Sequence, residues 1–150
     1  MLFRSIAAAC DVRIAAESAK IAFLFTKVGL SGADMGAAWL LPRIVGLGHA
    51  TELLMSGDFI DAQTALRIGL YNRVVAGANV MVEARGFAER LARGPSSALG
   101  ITKDALNREA HMDLVTALEA EAQVQAGCMR SPNFREAYEA FRAKRVPKFV

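Results

Sequence analysis

The sequence predicts an α/β chain, mostly α, in which a small β portion near the start is followed by helices. Three observations carry this expectation. Asp11-Val12-Arg13-Ile14-Ala15 alternates with period two, the mark of a half-buried strand. After Gly32 the apolar residues instead recur at helical spacing almost to the end. Finally, 150 residues of which 53% are apolar and 22% charged suffice for one packed core and exclude disorder.

The elements follow in order. After the strand at 11–15, Lys20-Ile21-Ala22-Phe23 reads as a second, short one. A helix from about Asp34 to Val45 carries Leu40, Leu41, Ile44 and Val45, with Pro42 expected to kink or divide it. Ala50 to Ser56 continues helical, and Gly57 suits a left-handed C-terminal cap. Asp61 is placed to accept from the first free amides of a helix over Ala62 to Ile68, which Gly69 ends. Asn72-Arg73-Val74-Val75 is a brief extended piece. Val80, Ala84, Phe87 and Leu91 then form one stripe of an amphipathic helix. Pro95 fits the first turn of the next helix, to about Asn107. Asp113 to Cys128 places Leu114, Val115, Leu118 and Ala122 on one face, and Pro132 opens a last helix aligning Phe134, Tyr138 and Phe141.

Composition narrows the function classes. A mean hydropathy of +0.26 is high for a small soluble domain, so some apolar surface is expected to meet another chain. Cys10 and Cys128 are too few for a disulfide framework and are not spaced for a metal, so a reducing, cytoplasmic setting and no metal site are expected. Neither a secretory signal nor a membrane span is read: the run Ile6 to Cys10 is too short, and Ile21 to Gly48 is broken by Lys27, Asp34 and Arg43. The net charge of +3 gathers partly at Arg142, Lys144, Arg145 and Lys148, which favours an anionic partner. Without a recognition helix or interleaved aromatics, nucleic acid is not the expected one.

The densest glycine cluster is Gly29-Leu30-Ser31-Gly32-Ala33-Asp34-Met35-Gly36, which reads either as a plain turn or as a ligand loop. It matches neither the dinucleotide G-x-G-x-x-G nor the esterase G-x-S-x-G pattern, and no phosphate-binding G-x-x-x-x-G-K-[ST] occurs. His49 and His111, the histidines a serine triad at Ser31 would need, lie in polar helical surroundings that suit surface or cap roles. Asp34 reads in two ways: an N-cap of the following helix, or an acid/base group whose uncharged neighbours Ala33, Met35, Ala37 and Ala38 would raise its pKa.

Five stretches together resemble the crotonase superfamily, the enoyl-CoA hydratase/isomerase family. They are Ala9-Cys10-Asp11-Val12-Arg13-Ile14-Ala15-Ala16-Glu17, Lys27-Val28 through Met35-Gly36, Leu41-Pro42-Arg43-Ile44-Val45-Gly46, Gly57-Asp58-Phe59-Ile60-Asp61-Ala62 through Gly69-Leu70, and Glu136-Ala137-Tyr138-Glu139-Ala140-Phe141-Arg142-Ala143-Lys144-Arg145. The resemblance extends over nearly the whole chain but matches only the C-terminal half of the family pattern. It implies a partial ββα spiral over residues 1–75 and a helical region over 76–150 that forms trimers or dimers of trimers. It further implies an acyl-CoA thioester as substrate rather than a separate cofactor, and hydration or isomerisation of an unsaturated acyl group.

The family's chemistry needs two backbone amides that polarise the thioester carbonyl, the second from a glycine-rich segment just before the first matching strand. Here that segment reads Leu2-Phe3-Arg4-Ser5, so neither donor is found. The two glutamates of hydratases fall by position at Ser5 and Phe25; a hydroxyl can orient water, but neither side chain is a base at neutral pH. Asp34 matches an aspartate of isomerase-like and hydrolase-like branches and is the acid/base residue that the resemblance implies. Phe141 and Lys144 match positions that approach the adenine and phosphates of coenzyme A. Their plain readings are a packing stripe with Phe134 and Tyr138, and a cation meeting the helix dipole. An impaired enzyme is thus expected, or alternatively a non-catalytic paralogue that assembles with full-length subunits.

Overall fold

The computed structural model describes the backbone of residues 2–150 and the side chains from Ser5 onward. In chain order the elements are α1 (Leu2–Ala9), β1 (Ile14–Ala16), β2 (Lys20–Ile21), a 3-10 turn (Thr26–Val28), α2 (Ala37–Ser56), β3 (Ile60–Asp61), α3 (Ala62–Arg67), β4 (Arg73–Val75), a second 3-10 turn (Gly77–Asn79), α4 (Val80–Ala92), α5 (Ser96–Glu109), α6 (Leu114–Met129) and α7 (Pro132–Arg142). They form two compact units, one up to Ala84 and one from Arg85 to Val150.

The first unit is a small α/β body. β1 pairs in parallel with β4, Ile14 opposite Arg73 and Ala16 opposite Val75, while β2 pairs antiparallel with β3. Arg13 and Asn72 prepare the parallel pair: the Arg13 amide donates to Asn72 Oδ1 at 2.8 Å, and the Asn72 amide donates to the Arg13 carbonyl at 2.8 Å. The half-buried Arg13 guanidinium also donates to the Leu70 carbonyl, and desolvation lowers its pKa. Phe23, Leu41 and Leu70 are fully buried, and with Phe25, Val45 and Leu53 they form the core beneath α2.

The structure revises several expected boundaries. The strands are shorter than expected, β1 at Ile14–Ala16 rather than 11–15 and β2 at Lys20–Ile21 rather than 20–23. α2 begins at Ala37, and its break lies at Gly46 (φ 78°, ψ 160°) rather than at Pro42. Pro42 lacks one amide, but only glycine takes a left-handed φ without a Cβ penalty, so the chain yields there. α1 arises where only an apolar run was read; Ala7, Ala8 and Ala9 favour helix, and Ala8 turns into the core. Other expectations hold. Gly57 (φ 65°) caps α2, and Asp61 Oδ1 accepts from the Thr64 amide at 2.7 Å to start α3.

The second unit is built of helices, followed after Arg142 by a non-helical tail. Asp113 caps α6 by accepting from the Thr116 amide at 3.0 Å, and Ser131 Oγ caps α7 by accepting from the Phe134 amide at 3.2 Å. Pro95 stands immediately before α5. Within the whole unit, Asn133 and Ala140 are the buried residues among those described. Leu106, Leu114, Val115 and Leu118 are all more than half exposed. Phe134, Tyr138 and Phe141 are exposed as well, so the expected packing stripe is corrected: among the described residues that face is not buried.

Candidate functional site

The loop between the first 3-10 turn and α2 is assembled from backbone hydrogen bonds. The Phe25 carbonyl accepts from the amides of Val28 (3.1 Å) and Leu30 (2.9 Å), which folds the chain back on itself. Ser31 Oγ accepts from the Ala33 amide at 3.1 Å, a local turn, so this hydroxyl has a structural task. Gly32 is required by contact: a Cβ there would stand 3.0 Å from the Leu54 carbonyl oxygen and 3.1 Å from Leu54 Cβ. The loop thus lies directly on the second half of α2.

Asp34 sits where this loop turns into α2. Its carbonyl accepts from the Ala37 amide at 2.9 Å, and the two residues between, Met35 (φ 48°) and Gly36 (φ 81°), are both left-handed. Gly36 occupies the N-cap of α2, which receives no side-chain hydrogen bond. The capping reading of Asp34 is therefore wrong. Its carboxylate is exposed and has no hydrogen-bond or ion-pair partner among the described residues. Around it the chain leaves Val28, Leu30, Met35 and Trp39 more than half exposed. A left-handed methionine beside an unengaged carboxylate is local strain of the kind that gathers at functional sites.

Ser5 and Phe25, the positions at which the resemblance leads us to expect the hydratase glutamates, lie in the interior. Phe25 belongs to the core, and Ser5 on α1 is buried with its Oγ unpartnered among the described residues. His49 is exposed on α2 and lies 3.7 Å from Glu52, one turn on, a surface role. The described residues contain no group of three His, Cys, Asp or Glu that could hold a metal, and both cysteines are free. No helix among them is long and apolar enough to cross a membrane.

In the second unit, Phe141 is 83% exposed near the end of α7, and Lys144 follows the helix as an exposed residue with φ 51°. The helix end is a Schellman motif: the Arg145 amide donates to the Ala140 carbonyl at 3.0 Å and the Lys144 amide to the Phe141 carbonyl at 3.2 Å. Beyond it, Glu136 grips the tail. Arg145 donates to its two oxygens at 2.5 and 2.9 Å, and the Lys148 amide donates to Oε1 at 2.7 Å. Those bonds, from the arginine foremost, hold the Glu136 carboxyl down at about 2. Asn133 and Val150 exchange two further hydrogen bonds, at 2.9 and 3.0 Å. Sequence reasoning named Met35 only as an uncharged neighbour and Glu136 only within the closing stretch, and missed the left-handed turn of the first, the tail clasp of the second and Asn133 altogether.

A profile of the enoyl-CoA hydratase/isomerase family matches residues 4–150. The chain belongs to the enoyl-CoA hydratase/isomerase family. It is 38% identical over 140 residues to the 1,2-epoxyphenylacetyl-CoA isomerase of Escherichia coli, covering 93% of this chain and 53% of that protein. It is 34% identical over 140 residues to the short-chain-enoyl-CoA hydratase of Clostridium acetobutylicum, again covering 93% and 53%. A solved Streptomyces coelicolor A3(2) structure with an enoyl-CoA hydratase assignment superposes with a TM-score of 0.93 at 49% identity, over 97% of this chain and 53% of that one. The fold is therefore the family's helix-rich α/β fold, and the chain spans about half the length of the relatives it matches.

Proposed function

We propose that this chain binds an acyl-CoA thioester and takes part in hydration or isomerisation of its unsaturated acyl group, with Asp34 as the acid/base residue. The observation that carries the reading is the release of Asp34: a glycine takes the cap position, and the carboxylate stands exposed at a strained turn amid apolar side chains. A carboxylate so placed can move a proton beside a thioester carbonyl, provided that fixed amides stabilise the enolate. In this reading the segment is the C-terminal half of the family pattern, a partial spiral followed by trimerisation helices. The amides come from spiral turns outside the matched half, and Phe141 and Lys144 receive the adenine and phosphates of coenzyme A. Acting without those amides the chain is a weak catalyst, since each oxyanion donor is worth ~10²–10³ in rate.

Incubation with crotonyl-CoA, followed by chromatography and mass analysis, tests the reading. Gain of one water marks hydration, and a shifted double bond at unchanged mass marks isomerisation. Either product, formed by the wild type and lost in Asp34→Asn, supports it; equal product from both proteins overturns the role of Asp34.

A second reading is favoured by the exposed apolar faces of the helical unit. Here the chain is an assembly partner of full-length relatives, or joins a trimer or dimer of trimers of its own kind, in the cytoplasm. Co-purification as mixed oligomers that turn over crotonyl-CoA no faster than the relative alone would favour it over catalysis.

A further inference from the structure

The end of α7 holds a lysine where a helix is best closed by glycine. Lys144 occupies the left-handed C′ position of the Schellman motif, with φ 51°. A side chain in that conformation crowds its Cβ against the backbone, a cost that glycine does not incur. Such a residue persists when its surroundings over-determine it, and here they are identifiable. Glu136, two turns back on α7, clasps Arg145 through both carboxylate oxygens and also takes the Lys148 amide. Lys144 is thus bracketed by a helix end on one side and a clasped arginine on the other. Its own ammonium makes no ion pair among the described residues and remains exposed.

We propose that Glu136 is a positioning residue for Lys144: the Glu136–Arg145 clasp fixes the left-handed turn and so presents the lysine charge to an anionic phosphate of the thioester carrier. This rests on the reading of Lys144 as a coenzyme A contact. Glu136 itself, an anion, would repel a phosphate; its contribution comes through the backbone and Arg145. The same clasp pairs Arg145 with a carboxylate, while the Lys144 charge stays uncommitted among the described residues.

Affinity for free coenzyme A, measured by calorimetry on the whole chain, is compared with affinity for a pantetheine thioester that lacks the nucleotide and its phosphates. Glu136→Gln is expected to weaken coenzyme A binding about two- to fivefold, the span of one exposed charge contact, while pantetheine affinity stays put. Glu136→Asp should recover part of the loss. In the double variant with Lys144→Ala, Glu136→Gln should add nothing to the loss from Lys144→Ala alone. Lys144→Gly should raise the melting temperature while losing the same affinity, because the strain goes with the charge. Equal weakening of both ligands, or additive losses in the double variant, overturns the positioning role and leaves the coenzyme A reading standing. Unchanged coenzyme A affinity in Lys144→Ala overturns the reading of Lys144, and the positioning role with it.

Discussion

Glu136 is depressed to about 2 from an ordinary 4.5, chiefly by the Arg145 hydrogen bonds. A carboxylate lowered in the folded state adds stability that is fully present above its unfolded value and fades as pH falls through the folded one. The tail clasp should therefore hold from neutrality to about pH 4.5 and come undone between there and pH 2. The protection factor of the Lys148 amide proton, its exchange rate by NMR relative to the intrinsic rate at each pH, should stay constant above that window and fall within it. Ser5 gives a prediction of opposite sign to the usual core substitution. Its buried Oγ lacks a partner among the described residues, so Ser5→Ala should leave urea stability unchanged or raise it. Gly57→Ala should do the reverse. The new Cβ would lie 2.9 Å from Lys27 Cγ at φ 65°, and a loss of about 1–2 kcal/mol is expected from the backbone conformation alone.

Helices whose signals are local were legible in the sequence. Asp61 and Gly57 announce the start of α3 and the end of α2, and α4 to α7 begin within a residue or two of the positions their prolines, caps and stripes indicate. Asp61→Ala should cost about 1 kcal/mol in denaturant unfolding through loss of the Thr64 hydrogen bond. What stayed hidden depends on distant partners. The pairing of β1 with β4 joins Ile14 to Arg73, and no local pattern encodes that register. The β2–β3 pair is two residues wide and carries no alternation. The helix break lies at Gly46 rather than Pro42, because glycine takes the left-handed φ without a Cβ penalty. Lys144 was legible as a cation near the helix end, but its left-handed turn was not, since a Schellman ending is read from glycine and this one has none.

At the scale of the molecule, the two units differ in how far they cover themselves. The first buries Phe23, Leu41 and Leu70 completely, and Leu41→Ala should cost about 2–5 kcal/mol there. The second leaves its leucines, valines and aromatics in contact with solvent, which is why an amphipathic stripe in sequence did not translate into a core within this chain. The residue Asp34 was legible as a candidate, but its freedom from capping was not, because that depends on the φ angles of Met35 and Gly36. The chemistry proposed for it is common to hydration and isomerisation: a proton moves at the carbon beside the thioester carbonyl. Deuterium wash-in at that carbon, measured in heavy water with the protein in whatever assembly it forms, is the most direct test. Wild type should incorporate label, and Asp34→Asn should do so about 10²–10⁴ times more slowly with coenzyme A affinity unchanged. Label entering both proteins at one rate, or neither, would contradict the account.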